Sequence, residues 1–253
     1  MNRTVLPKSL FILEKRVGQT PLEAILEFRS KNSQYKKIKM AYAGRLDPMT
    51  EGLLLVLTGD ECRKREKYQN LDKRYEAEVL FGVRTDSYDC LGILVSSQER
   101  PVKQNDAIST LKSFSGRIIQ KYPPYSSKAV SGKPLYWWAR EGKLSQIRIP
   151  EKEISIYDIQ LLSFDKITSS DLQKLIYFKI NLVKGDFRQK QILSSWSSFF
   201  QNDHRKVFQV AKILISCSSG TYIRTLANDW GRLLKVRAIA LSIKRTAVGK
   251  YNL

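Results

Sequence analysis

The stretch Lys39-Met40-Ala41-Tyr42-Ala43-Gly44-Arg45-Leu46-Asp47-Pro48-Met49-Thr50-Glu51-Gly52-Leu53-Leu54-Leu55-Val56-Leu57 sets Asp47 between two glycines and then runs into a continuous apolar segment. Pro48 confines Asp47 to extended or polyproline-like backbone, because the proline ring clashes with a helical residue before it. Gly44 and Gly52 permit tight turns or close approach of a ligand. Two readings of Asp47 follow. It is a helix cap or Asx-turn acid satisfied by its own loop, or it is a group that acts on a ligand. The run Leu53 to Leu57, closed by Thr58-Gly59, suits a central strand or a buried helical turn.

Upstream, residues 8 to 29 predict a strand or lead-in followed by a helix. Thr20 is its cap, Pro21 its first turn, and Leu22, Ile25 and Leu26 lie on one side. From Arg29 to Leu46 there is no acid, while Arg29, Lys31, Lys36, Lys37, Lys39 and Arg45 supply cations. This is either a solvated loop or a rim that contacts phosphates. Downstream, Tyr75 to Gly82 reads as a strand and Asp86 to Gly92 as a turn. A helix is predicted over 104 to 117, ending near Gly116. Residues 120 to 142 read as an excursion from the core. Residues 147 to 162 and 176 to 182 look strand-like, joined by a polar turn around 168 to 171. A strand at 213 to 217, a helix over 222 to 234 and a strand at 239 to 246 complete the chain, and no fixed-period repeat is evident.

With 253 residues the chain can bury a substantial core as one domain or two, and one is the simpler reading. Lys and Arg number 44 against 24 Asp and Glu, a formal charge of +20, so the surface attracts polyanions and nucleic acid leads the partners. No apolar run approaches the roughly 18–20 residues that span a bilayer. The opening residues lack a sustained secretory core, so a cytoplasmic address is expected. Cys62, Cys90 and Cys217 have no metal or redox spacing, and His204 is the sole histidine. A chain without metal or disulfide is expected, its cysteines acting as small buried hydrophobes.

A second stretch, Cys217-Ser218-Ser219-Gly220-Thr221-Tyr222-Ile223-Arg224-Thr225-Leu226, also leaves an apolar strand through glycine and enters a predicted helix. Arg224 is a surface arginine or the partner of an acid. Facing Asp47 in a cleft, it would orient the carboxylate through two charge-assisted hydrogen bonds.

These segments and others in the same order resemble the TruB-type tRNA pseudouridine synthase family. Residues Ala43 to Pro48 with Gly52 are similar to its G-x-L-D-P-x-A-x-G motif, and Arg74-Tyr75-Glu76 to its basic-Tyr pair. Thr85 to Gly92 resembles T-D-T-x-D-x-x-G, and Gln120 to Ser127 resembles Q-x-P-P-x-Y-S-A. Residues 132 to 142 are similar to the following Y-x-x-A-R-x-G segment. Ser219 to Leu226 is nearly identical in form to the family's last motif.

The resemblance implies an α/β chain of the α+β type, with a mixed central sheet, flanking helices and an RNA-binding cleft. It implies a single catalytic domain over 1–253 with an RNA-contacting insertion at about 120–148; bacterial members commonly continue into a PUA-type domain after the position of Tyr251, and no separate PUA domain is expected here. The implied activity is isomerisation of a uridine in the T arm of tRNA, without a cofactor. Asp47 would be the catalytic residue, Arg224 its charge partner, and Tyr75 the aromatic against the base and an aid in removing the C5 proton. Tyr222 and Ile243 would line the pocket. Tyr42, Arg45, Lys128, Lys244 and Arg245 would meet RNA. Asp86 and Asp89 are expected to close a structural turn, and Trp137 and Trp138 to anchor the insertion. The implied partner is tRNA or another structured RNA, and no protein partner follows.

Tyr42 stands where the family commonly has histidine, and stacks without imidazole's near-neutral protonation. The Ser127-Lys128-Ala129 order shifts the family lysine by one residue, and Ala238-Ile239 replaces Ala-His. A pseudouridine synthase acting on another RNA, or a non-catalytic RNA-binding protein on the same scaffold, are the alternatives.

Overall fold

The computed structural model of the chain describes residues 8–253, so the first residues of the leader reading lie outside it. Thirteen strands and seven α-helices follow in order among the described residues. They begin with β1 (Leu10–Lys15), α1 (Pro21–Lys31), β2 (Met40–Ala43), β3 (Thr50–Thr58), α2 (Arg65–Gln69), β4 (Lys73–Phe81), β5 (Val83–Thr85) and β6 (Leu94–Ser97). Next come α3 (Gln104–Lys112), β7 (Gly116–Lys121), β8 (Ala129–Val130), β9 (Lys133–Pro134) and α4 (Leu135–Arg140). The chain ends with β10 (Glu151–Thr168), α5 (Ser169–Asn181), α6 (Gln189–Asn202), β11 (Val207–Cys217), α7 (Ile223–Leu233), β12 (Ala238–Val248) and β13 (Tyr251–Asn252).

The main sheet runs β1-β3-β12-β4-β11-β10-β7, with β2 added beside β3 and β13 beside β12. The β3–β12 pair is parallel and the other pairs are antiparallel, which makes the sheet mixed, as expected. Period-2 alternation along β4 sends Tyr75, Ala77, Val79 and Phe81 toward a core that contains Trp230 of α7 and Leu111 of α3. Leu80 turns to the opposite core with Trp196 of α6 and Ile176 of α5. Leu53 to Leu57 are fully buried because β3 is covered on both faces, which is why that run is continuous rather than alternating.

Local signals place α1 as the sequence predicts. Thr20 Oγ1 accepts from the Glu23 amide and the Glu23 carboxylate accepts from the Thr20 amide, a closed capping box. Its buried residues are Pro21, Ala24 and Ile25, whereas Leu22 and Leu26 are exposed. The helix predicted to end near Gly116 stops at Lys112, and Gly116 opens β7 instead.

The strand-like reading of 176 to 182 is wrong, since this run is the last turns of α5. Leu172, Ile176 and Ile180 recur every fourth position and are buried, while Phe178 is exposed, a helical pattern hidden by so many apolar residues. The expected turn at Thr168 is the helix cap, its Oγ1 accepting from the Asp171 amide.

Gly52 lies in register with Lys15 of β1 and Arg245 of β12, so three strands meet at it. Its φ is +101°, and a Cβ there would collide with the carbonyl oxygen and amide of Arg245. Gly52→Ala is therefore expected to lose roughly 2–4 kcal/mol in urea denaturation, from left-handed strain plus overpacking.

Candidate active site

Asp47 sits in the loop between β2 and β3. The Thr50 amide donates to the Asp47 carbonyl at 3.0 Å, a turn that carries the side chain into a cleft. Arg224, in the first turn of α7, reaches it from the other half of the sheet. Its Nε and Nη2 both lie 2.8 Å from Asp47 Oδ2. Nη1 donates to the Ser87 carbonyl at 2.6 Å and Nη2 to the Tyr125 carbonyl at 3.1 Å. Arg224 is only 3% exposed, so one guanidinium ties four segments together where water does not compete. Burial works against its charge, and Asp47 and Asp89 more than restore it.

Asp89, expected only to close a turn, is also a neighbour of Arg224. Its Oδ1 does close that turn, accepting from Ser87 Oγ at 2.6 Å and from the Leu91 amide at 3.0 Å. Its Oδ2 lies 3.6 Å from Arg224 Nε, so Arg224 serves two carboxylates. Burial raises the Asp89 carboxyl to about 6 despite Arg224 and Ser87. Asp86 is structural as expected. It accepts from the Ile93 amide at 2.9 Å and from Arg188 Nη1 at 2.8 Å.

Two cavities open on Asp47. The smaller, about 370 Å³, is lined by Tyr75, Tyr222, Ile243, Lys73, Lys152 and Arg245. The larger, about 520 Å³, is lined by Tyr42, Tyr125, Tyr136, Leu22, Arg140 and Arg188. Arg45 borders both, and its guanidinium donates to Ser127 Oγ. Tyr75 and Ile243 thus line the same cavity as Asp47, together with the charged groups of Lys73, Lys152 and Arg245.

Burial pushes the Tyr75 phenol upward while Arg245 opposes it. Tyr222 is the cap of α7, not part of its face. Gln120 fixes it twice, accepting from the Tyr222 amide at 2.8 Å and donating to its carbonyl at 3.1 Å.

Arg245, expected to contact RNA, is buried. Its Nε donates to the Leu53 carbonyl at 2.8 Å and its Nη2 to the Gly44 carbonyl at 3.1 Å, and it lies in register with Tyr75. It braces the loop and the aromatic from behind. Lys244 is half-buried, 3.7 Å from Glu14, and Lys128 is exposed with its Nζ 5.6 Å from the Tyr122 ring centroid. Neither lines the two cavities.

Two further lysines escaped the sequence reading. Lys15 is fully buried and donates to the carbonyls of Arg16, Gln19 and Pro48, pinning the residue after Asp47. Burial lowers it to about 8, against Asp47 and Glu51. Lys73 lies two residues before Tyr75 on the same side of β4.

Residues 122–150 leave the sheet between β7 and β10, which pair directly. Trp138 Nε1 donates to the Val130 carbonyl at 3.0 Å and anchors this excursion, as expected. Arg140 and Asp186 latch it to the loop before α6. No helix among the described residues is long and apolar enough to cross a membrane.

The chain is similar to known proteins in sequence and in fold. The family model described as TruB family pseudouridylate synthase, N terminal domain, covers residues 31–188. The tRNA pseudouridine synthase B of Bordetella avium (strain 197N) is 32% identical over 247 residues, covering 96% of this chain and 82% of that protein. That of Borreliella afzelii (strain PKo) is 28% identical over 242 residues, covering 96% and 70%. A chain from the crystal structure of a Cbf5-Nop10-Gar1 complex superposes with a TM-score of 0.60 at 18% identity, over 96% of this chain and 49% of that one, a likeness of fold. With the matched model spanning most of the chain and the Asp47 loop, this chain belongs to the TruB family of pseudouridylate synthases and is, with them, an isomerase.

Proposed function

We propose that this chain isomerises a uridine in the T arm of tRNA, with Asp47 acting at the sugar. The observation that carries the reading is the Arg224 fork on Asp47 beside the cavity bounded by Tyr75, Tyr222 and Ile243. The C1′–N1 bond of uridine must break, the base must turn, and C1′ must join C5. Addition of the carboxylate needs an oxygen aimed at C1′, assisted formation of a glycal needs one at the C2′ proton, and both need apolar walls that keep the detached base. Tyr75 and Ile243 supply those walls. A base stacked in folded RNA must be extruded to reach them.

Arg45, Lys128, Lys244 and the 122–150 excursion provide phosphate contacts around the cleft, whereas Arg245 acts by holding Tyr75. With a net charge of +20, RNA affinity should fall steeply with salt. For six or more phosphate contacts, a fall of about 10³-fold is expected between about 50 and 200 mM salt in filter binding. A shallow slope would contradict an electrostatic grip.

Tyr42 favours one second reading, a uridine in another structured RNA. It lines the larger cavity beside Asp47, with the Arg65 guanidinium carbon 5.9 Å from its ring centroid, where it would stack on a neighbouring nucleotide. The test is incubation with T-arm RNA and several unrelated stem-loops, followed by position-resolved pseudouridine detection. Conversion of one T-arm uridine supports the first reading, and conversion confined to another stem-loop supports the second. RNA remodelling without product would defeat both.

A further inference from the structure

When C1′–N1 breaks by either route, the bonding pair leaves with the base. Uracil is then a monoanion, its charge spread over N1, O2 and O4, in a cavity that already holds the Asp47 carboxylate. A preorganised donor aimed at that charge is the usual way such a barrier is lowered. The two buried arginines of the cavity are already engaged, while its other cations, Arg45 and Lys152, are less buried than Lys73, so that water competes for their hydrogens. Arg224 is filled by Asp47, Ser87 and Tyr125, and Arg245 by Leu53, Gly44 and the neighbouring Tyr75. Lys152 donates to the Ser219 carbonyl at 2.8 Å, beside Gly220, and is half-buried.

Lys73 differs. It is 7% exposed, lines the cavity, and shares the β4 face with Tyr75, the aromatic wall for the base. Its Nζ donates to the carbonyls of Gln69 and Leu71, which occupy two of the three ammonium hydrogens and leave one for a ligand. Its Cε lies 3.9 Å from where a Cβ on Gly44 would stand, which places the stem against the loop that carries Asp47. Burial, then Arg245, lowers this ammonium to about 8, so it is still mostly charged near neutral pH.

We infer that Lys73 holds the uracil anion, its ammonium donating a hydrogen bond to a uracil oxygen from the breaking of C1′–N1 until C5 joins C1′. The inference rests on the proposed placement of uridine in this cavity. The step balances without a co-reactant. C1′–N1 breaks with its pair on the base, and C5 then attacks C1′ and displaces the carboxylate; in the glycal route C2′ gives its proton to Asp47 as C1′–N1 breaks and takes it back as C5 joins C1′. The base loses one proton at C5 and gains one at N1, and Lys73 keeps its own protons throughout.

The test is the dependence of the variant on the leaving group. Fluorine at C5 withdraws electrons, so a 5-fluorouracil anion departs with less help. Single-turnover consumption of the target nucleotide is measured for RNA carrying uridine or 5-fluorouridine, with wild type, Lys73→Met and Lys73→Gln. Lys73→Met should be slowed about 100-fold on uridine and about 10-fold or less on 5-fluorouridine, with Lys73→Gln between it and wild type. Equal slowing on both RNAs marks Lys73 as merely structural and overturns the inference, as does a folded Lys73→Met with wild-type rates. If Lys73→Met does not fold, the ratio between the two RNAs in Lys73→Gln carries the same test. Wild type that leaves the uridine RNA unconverted would overturn the underlying placement of the substrate instead.

Discussion

Arg224→Met should lose about 3–5 kcal/mol of stability and about 10³-fold or more in single-turnover rate. The stability loss follows from what the guanidinium leaves behind. Asp89 is buried, with Arg224 as the cation beside it, and the carbonyls of Ser87 and Tyr125 each accept from the same group. Methionine fills much of the volume but satisfies none of these acceptors, and removing one partner from a buried ionic cluster is far worse than never having built it. Asp89, already at about 6, should then stay protonated at neutral pH.

The rate loss has a separate cause. Two nitrogens of one rigid fork fix Asp47 Oδ2, so its direction toward the cavity depends on Arg224. Arg224→Lys keeps a charge but cannot reproduce the fork or reach all four acceptors. It should recover part of the stability and little of the rate. Urea denaturation and single-turnover conversion, measured on the same preparations, separate the two effects. Wild-type rates in a folded Arg224→Met would refute the role.

How much of this could be read beforehand depends on the range of each signal. The cap of α1 was legible because Thr20, Pro21 and Glu23 act within one turn. The run Leu53 to Leu57 was legible as a buried element because both of its faces are covered. The end of α5 was not, since Ile176, Tyr177, Phe178, Ile180 and Leu182 offer apolar groups to strand and helix periods alike, and only the packing chooses.

Range also explains the site. The Asp47–Arg224 contact spans 177 residues, and family resemblance rather than periodicity pointed to it. Asp89 was missed because its local bonds to Ser87 and Leu91 form a complete turn that hides the second oxygen facing Arg224. Arg245 looked like part of a basic tail, next to Lys244. Its burial is set by sheet register, which places it against Gly52 on one side and Tyr75 on the other. Alternation along β12 separates these two adjacent cations, Lys244 half-exposed and Arg245 buried.

The largest expected effect is at Asp47 itself. Asparagine has nearly the same shape and can still accept from Arg224, so the loop, the Thr50 turn and the cavity should persist. What is lost is the oxygen that attacks C1′ or takes the C2′ proton, and no other carboxylate among the described residues lines the smaller cavity. A fall of about 10⁴-fold or more is the scale for removing a group on which the covalent chemistry depends. RNA affinity should change little, because the phosphate contacts belong to other residues.

The most direct measurement is position-resolved pseudouridine formation on one T-arm RNA by wild type and Asp47→Asn in parallel, with binding measured on the same RNA. Wild type should convert a single uridine, while the variant binds the RNA comparably and leaves that uridine unconverted. Equal product from both proteins would contradict the role of Asp47, and with it the account of the cleft.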